Sequence, residues 1–245
     1  MTKLSVNVNK IATIRNARGG KTPDIIEIAR LCENFGADGI TVHPRPDQRH
    51  ITTEDTRQLS KFVTKEFNIE GYPNKRYLDF IEELNPDQAT LVPDSPNVLT
   101  SNQGWDTINN QDFLKKTILE IKSFGSTVSL FIAPDKKLIE YAFKAGADRI
   151  ELYTGPYADL YSKDRQKAIK EFKSAALFAN ELGMGVNAGH DLNLLNLSWL
   201  IMNIPFLNEV SIGHALISDA LFYGLENTVQ MYLNEIEKGT NKIEN

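Results

Sequence analysis

Short apolar runs rich in β-branched residues recur along the whole chain, and the stretches between them repeat apolar residues at helical spacing. Eight runs read as strands: 4–9, 39–44, 67–72, 88–93, 127–133, 149–155, 183–189 and 209–215. Between the first two, Thr22-Pro23 offers an N-cap and a first-turn proline. Apolar residues follow at Ile25, Ile28, Cys32 and Phe35, and Gly36 supplies a stop. Similar patterns predict helices over about 53–65, 74–84, 111–124, 135–145, 163–181, 193–203 and 217–238, with a polar tail, about 239–245, expected to fray. Strict β-then-α alternation without a linker requires parallel strands and right-handed crossovers. Spread over eight units, 245 residues give about 31 each, the size of one βα repeat in a closed barrel. An open doubly wound sheet is the alternative, but no G-x-G-x-x-G follows the first strand. The pattern therefore predicts an α/β chain with one domain, 1–245, folded as a single (β/α)8 TIM barrel.

Composition changes this picture little. With 41% apolar and 24% charged residues the chain can bury a sizeable core. A net charge of -5 argues against a broad basic footprint, so no nucleic acid partner is expected and an anionic ligand needs a local site. One cysteine, Cys32, excludes an internal disulfide framework and suits a reducing cytoplasm. The N-terminal MTKLSVNVNK lacks the apolar core of a leader. The most apolar later stretch, SWLIMNIPFL, is broken by Asn203 and Pro205 and is too short to span a bilayer. A cytoplasmic protein without a membrane partner is expected.

In a barrel of this kind the site is built where strands end. Strand one ends in Asn7 and Asn9 and runs on to Lys10, Arg15 and Arg18; strand two ends at His43, followed by Arg45, Arg49 and His50. Glu70 and Glu151 lie in strands three and six, Asn187 and His190 end strand seven, and Gly213-His214 end strand eight. Taken singly, each has a bland explanation: a hydrogen-bonded strand-end histidine, a structural ion pair for Glu70 or Glu151, a solvated loop charge for Arg49. Three histidines converging on one mouth favour chemistry. A carboxylate within an apolar strand is costly unless paired or protonated. The glycine-containing seventh and eighth loops lie where barrels bind phosphate through backbone N–H groups, and Arg15, Arg18 and Arg45 are close by, so a phosphorylated small molecule is the expected ligand. Residues 93–110 are too long for an ordinary βα connection and read as a lid.

At these residues the sequence resembles the pyridoxine 5′-phosphate synthase (PdxJ) family. The resemblance spans essentially the whole chain: VNVNKIATIRNARGG (6–20), GADGITVHPRPDQRHI (36–51), NIEG around Glu70, LVPD (91–94), VSLFI (128–132), IELYTGPYA (150–158), VNAGH (186–190) and IGHALI (212–217). It implies condensation of 1-deoxy-D-xylulose 5-phosphate with 3-amino-2-oxopropyl phosphate to pyridoxine 5′-phosphate, phosphate and water, with no cofactor and no metal. The implied acid-base residues are His43, Glu70 and His190, with Glu151 as a transition-state-stabilising carboxylate. The aminoketone phosphate would meet Asn7, Arg18, Asp191, Gly213 and His214, and the pentulose phosphate Asn9, Lys10, Arg45, His50 and Thr100. Asn9-Lys10 stands where many relatives have Asp-His, and Asp191 where many have glycine. The resemblance also implies a homo-oligomer, an octamer.

Two other readings use the same residues. His43, Glu70, His190 and His214 are types that ligate metal in a sugar-phosphate epimerase or aldolase. A barrel that only binds a phosphorylated metabolite is the non-catalytic alternative. Retention of His43, Glu70 and His190 favours catalysis over the second.

Overall fold

The computed structural model describes residues 1–93 and 103–241. Eight parallel strands close in chain order: β1 (Lys3–Asn7), β2 (Gly39–Val42), β3 (Glu66–Gly71), β4 (Gln88–Leu91), β5 (Thr127–Ile132), β6 (Arg149–Tyr153), β7 (Gly185–Gly189) and β8 (Glu209–Ile212), which pairs back onto β1. This is the expected (β/α)8 barrel. All the predicted strands are present, but most stop short of their expected C-terminal ends, because those last residues already bend into the loops of the mouth. Asn9 and Lys10 accordingly belong to a helix, not to β1.

The helices are α1 (Asn9–Asn16), α2 (Ile25–Asn34), α3 (Thr53–Phe62), α4 (Lys75–Leu84), α5 (Gln111–Ser123), α6 (Lys136–Ala145), α7 (Gly155–Tyr161), α8 (Arg165–Glu181), α9 (Leu197–Asn203), α10 (His214–Tyr223) and α11 (Leu225–Asn241). Periodicity did not reveal α1, which buries only Ile11 and Ala12, nor the short α7. The helix expected over 217–238 is two, broken at Gly224 with φ +78°, a conformation glycine adopts without penalty. At α2 the cap is Asp24 rather than Thr22: its carboxylate accepts from Ile26 N at 2.9 Å and Glu27 N at 3.2 Å. Of the segment expected as a polar tail, 242–245 lie outside the described residues. Helix α11 continues to Asn241, and Gly239 lies against α9 so closely that a Cβ would stand 2.8 Å from the Ser198 carbonyl.

Each strand alternates. Leu4, Val6, Ile40, Val42, Ile69, Leu91, Leu130, Ile150, Leu152 and Val210 are buried apolar residues of the core between sheet and helices. The intervening side chains meet inside the barrel, and most are polar, Phe131 on β5 being an exception. Arg149 on β6 reaches Glu66 on β3 at 2.9 Å and Gln88 on β4 at 2.8 Å, and Asn187 on β7 donates to the same Gln88 oxygen at 3.1 Å. One layer higher, Ser5 and Thr41 share a hydrogen bond of 2.7 Å, Asn68 donates to Thr41 at 3.3 Å, and Thr90 donates to Asn68 at 2.9 Å. Asn187, expected at the mouth, belongs instead to this interior.

At the barrel floor two carboxylates take opposite states. Burial disfavours ionisation of Glu66, but Arg149 and Lys3 outweigh it and hold its pKa below the ordinary value. Glu209 is pushed up to about 8, first by burial and then by the charges of Glu66 and Glu151. The native state thus keeps a proton on Glu209 that the unfolded chain loses above an ordinary pKa of 4.5, and stability falls as pH rises from there toward 8. Glu209→Gln should flatten the pH dependence of unfolding free energy in that window, by up to about 1.4 kcal/mol per pH unit. Urea denaturation at several pH values measures this, and an unchanged slope would mean that Glu209 is ionised in the folded protein.

Candidate active site

The mouth is assembled from the ends of β1, β2, β3, β6, β7 and β8. His43 follows β2 directly, and its Nδ1 stands 3.7 Å from Glu70 Oε2 on β3, with both side chains nearly buried. That separation is too long for a hydrogen bond but short enough to close around a substrate. Asn7 on β1 donates to the same Glu70 oxygen at 3.4 Å. Asn9, at the start of α1, accepts from the His43 backbone N–H at 3.0 Å and donates its own N–H to Asn7 Oδ1 at 3.1 Å. The carbonyl of an amide side chain accepts as a carboxylate would, so asparagine serves here.

Burial lowers the His43 pKa well below its ordinary value, and the charges of Arg45, His50, His190 and Arg49 act in the same direction. His50, whose ring centroid is 6.4 Å from that of His43, accepts the Ile51 N–H on Nδ1 at 2.9 Å. An Nδ1 that accepts carries no proton, so this imidazole is neutral. Burial, then Arg45, Lys10 and Arg49, push its pKa down to about 4 against the pull of Asp47. Arg45 is buried among these groups, whereas Lys10 is exposed on the first turn of α1.

Glu151, on β6, is 3% exposed. Its Oε1 occupies the space that a Cβ at residue 189 would need, and its Oε2 has no hydrogen-bond partner among the described residues. Burial, then the charge of Glu70, raise its pKa well above the ordinary range, which favours its protonated form. Among the described residues no arginine braces it.

His190 and Asp191 are both left-handed, with φ of +85° and +57°. Asp is among the residues that tolerate this region. Thr154 Oγ1 holds the His190 carbonyl at 2.6 Å, and Asn196 Nδ2 holds the Asp191 carbonyl at 3.1 Å. The His190 ring packs against Phe131 and Tyr153 at centroid distances of 5.6 and 5.4 Å. Gly213 precedes α10, whose first turn has no side-chain cap, and a Cβ there would lie 3.0 Å from the Asn7 Cβ. Asn7, Gly213 and the exposed His214 are therefore neighbours at the β1–β8 seam.

Some expected residues lie apart. Arg15 is engaged elsewhere: it makes a two-point ion pair with Asp55 at 2.6 and 2.8 Å, tying α1 to α3. Arg49 pairs with Asp47. Arg18 is exposed in the turn after α1. Thr100 lies outside the described residues, as does the first half of the segment expected as a lid. The second half is packed: Trp105 donates from its backbone to Phe131 O and from Nε1 to Leu91 O, both at 2.9 Å, and stacks on Tyr72. Sequence reasoning missed Thr154 and Asp55, whose roles come from pairing across loops. Among the described residues no group of three or more His, Cys, Asp or Glu is placed to hold a metal ion.

A family model described as "Pyridoxal phosphate biosynthesis protein PdxJ" matches residues 4–238. A pyridoxine 5′-phosphate synthase from Cytophaga hutchinsonii is 59% identical over 238 residues, covering 97% of this chain and 100% of that protein. One from Bacteroides fragilis is 58% identical over 234 residues, covering 96% and 99%. Among solved structures, phosphoribosylanthranilate isomerase from Thermotoga maritima aligns with a TM-score of 0.60 at 14% identity, covering 97% of this chain and 99% of that one. The tryptophan synthase α subunit from Legionella pneumophila gives 0.60 at 14%, covering 98% and 93%. At such identity these structures share the fold alone.

Neutral His43 and His50 have a measurable consequence. An unfolded histidine takes up a proton near its ordinary value of 6.5, whereas both native imidazoles do so only well below it. His50 should stay unprotonated at pH 5.5 by NMR, His43 should titrate below 6.5, and each should subtract stability as pH falls below 6.5. Titration of His43 near 6.5 would mean that water reaches its ring in the free protein.

Proposed function

The chain belongs to the PdxJ family of pyridoxal phosphate biosynthesis proteins, and from that membership we propose that its barrel mouth condenses 1-deoxy-D-xylulose 5-phosphate with 3-amino-2-oxopropyl phosphate. The products are pyridoxine 5′-phosphate, inorganic phosphate and water. One observation carries the assignment of chemistry to residues: His43, held neutral, faces Glu70 at 3.7 Å in a nearly buried mouth. An amine and a ketone must form an imine, water and phosphate must leave, and a ring must close. Each step moves protons, and the whole balances without an oxidant.

Neutral His43 and Glu70 serve as the bases. Glu151 acts as a carboxylic acid: its buried Oε2, unpartnered among the described residues, is the group that a developing oxyanion or leaving hydroxyl would meet. His190, oriented by Thr154, donates to the leaving group. The aminoketone phosphate is assigned to Asn7, Gly213, His214, Asp191 and Arg18. Support comes from the uncapped first turn of α10 beside Asn7, a place where backbone N–H groups and the helix dipole favour an anion. The pentulose phosphate is assigned to Asn9, Lys10, Arg45, His50 and Thr100. Lys10 and Arg45 both act electrostatically on His50, which supports their grouping.

A cytoplasmic homo-oligomer, an octamer by family resemblance, completes the proposal. The C-terminal end of α10 supports association, since Leu221, Phe222 and Tyr223 are exposed in succession, Phe222 at 82%.

Incubating the purified protein with both phosphates should yield pyridoxine 5′-phosphate by mass; absence of product with folded protein would sink the assignment. Glu70→Gln should keep the fold and lower turnover by about 10²-fold or more. Unchanged turnover would remove Glu70 from the mechanism. Arg18→Met should instead weaken aminoketone phosphate binding, by about 1.5–3 kcal/mol for one charge-assisted contact, with turnover at saturation preserved.

A further inference from the structure

The loop between β2 and α3, residues 43–52, carries His43, Arg45 and His50, and a side chain outside the mouth holds both its ends. Arg76 on α4 donates from Nη1 to the Pro44 carbonyl at 2.8 Å and from Nη2 to Thr53 Oγ1 at 3.2 Å. Pro44 follows His43, and Thr53 opens α3, so one guanidinium joins the loop's entry to its exit. The same group lies over the Phe80 ring, 4.9 Å from its centroid. Among the described residues Arg76 pairs with no carboxylate, and burial lowers its pKa. Its donors go to a carbonyl and a hydroxyl, so its contribution is to geometry and not to charge balance. The middle of the loop is held from the opposite side, where Asn16 Nδ2 on α1 donates to the His50 carbonyl at 2.8 Å.

We propose that Arg76 is a positioning residue for the pentulose phosphate half of the site: by fixing both ends of the loop it sets where Arg45 and His50 stand, without touching substrate. The proposal rests on the assignment of those two residues made above. His43 depends on Arg76 less, because Asn9 independently anchors its backbone N–H. The aminoketone half, at the β1–β8 seam, does not depend on it. Lysine cannot replace this group, since an ammonium lacks the planar fork that serves two separated acceptors while stacking on a ring.

The test compares the wild-type protein with Arg76→Lys, Arg76→Met and Arg57→Met. Arg57 also lies near the Phe80 ring, at 5.7 Å, and pairs with Glu83, but it does not hold the loop. Arg76→Met should raise KM for 1-deoxy-D-xylulose 5-phosphate by about 10- to 100-fold, the scale of a misplaced binding group, and leave kcat and the other KM within about 3-fold. Arg76→Lys should fall between, and Arg57→Met should match the wild type. In parallel, the His50 imidazole is titrated by NMR. Burial, with Arg45, Lys10 and Arg49 opposed by Asp47, holds it at about 4, and release of the loop in Arg76→Met should move it toward 6.5. An equal rise in both KM values overturns the proposal. So does lower thermal stability with both KM values and the His50 titration unchanged. If the wild-type protein makes no product, the substrate assignment fails. The His50 titration then decides the loop claim alone, a shift supporting it and no shift overturning it.

Discussion

The constraint on which the rest depends is the polar interior of the barrel. Parallel barrel strands are commonly apolar on both faces, with branched aliphatic side chains filling the centre. Here only the outward face is aliphatic. The inward face carries hydroxyls, amides, carboxylates and one guanidinium, and each buried polar group without a partner would cost about 1–3 kcal/mol. The solution is pairing across the barrel: Arg149 with Glu66 and Gln88, Asn187 with Gln88, and the Ser5, Thr41, Asn68 and Thr90 chain. The bonds of Arg149 and Asn187 join strands that are not sheet neighbours, so they hold only when the barrel is closed, and the Ser5, Thr41, Asn68 and Thr90 chain ties neighbouring strands in register. The same alternation that places Asn68 in the network places Glu70 two residues later at the mouth.

Environment, not residue type, then divides the carboxylates. Glu66 has two cations within 3.0 Å and is ionised despite burial. Glu151 has none among the described residues, and burial with the charge of Glu70 raises its pKa. At the mouth the raised pKa of Glu151 and the lowered pKa of His43 let a proton donor and a proton acceptor stand in one site, which a reaction built from successive proton transfers requires. The histidines follow the same rule with the opposite sign, since for them burial and nearby arginines favour the neutral form.

Much of this was legible in the sequence. Strand-and-helix alternation set the barrel, and His43, His190 and His214 could be placed at strand ends because a strand end is a local property. What escaped detection required distant pairing. Asn187 looked like a mouth residue because it precedes Ala188-Gly189-His190, yet the register of β7 turns it into the interior. Helix α1 was invisible because its buried face is two residues wide. The packed half of the 93–110 segment was hidden because its anchors, Phe131 O and Leu91 O, are backbone atoms of other elements.

The cations show the same limit most plainly. Sequence can count arginines near a mouth but cannot say which are already engaged. The β2–α3 region supplies acids for its neighbours: Asp55 takes Arg15 and also closes the capping box of α3, and Asp47 takes Arg49. Arg76 is engaged by the loop's own oxygens. In the proposed site, recognition of the two phosphates is assigned to Arg45, Lys10 and Arg18 together with uncharged donors at the β1–β8 seam. A site that relies on oriented N–H groups for much of its anion binding must hold its loops still, because a dipole loses strength with misorientation in a way that a point charge does not. The side chains that fix those loops, though none of them meets a substrate, are therefore as much a condition of binding as the charges that do.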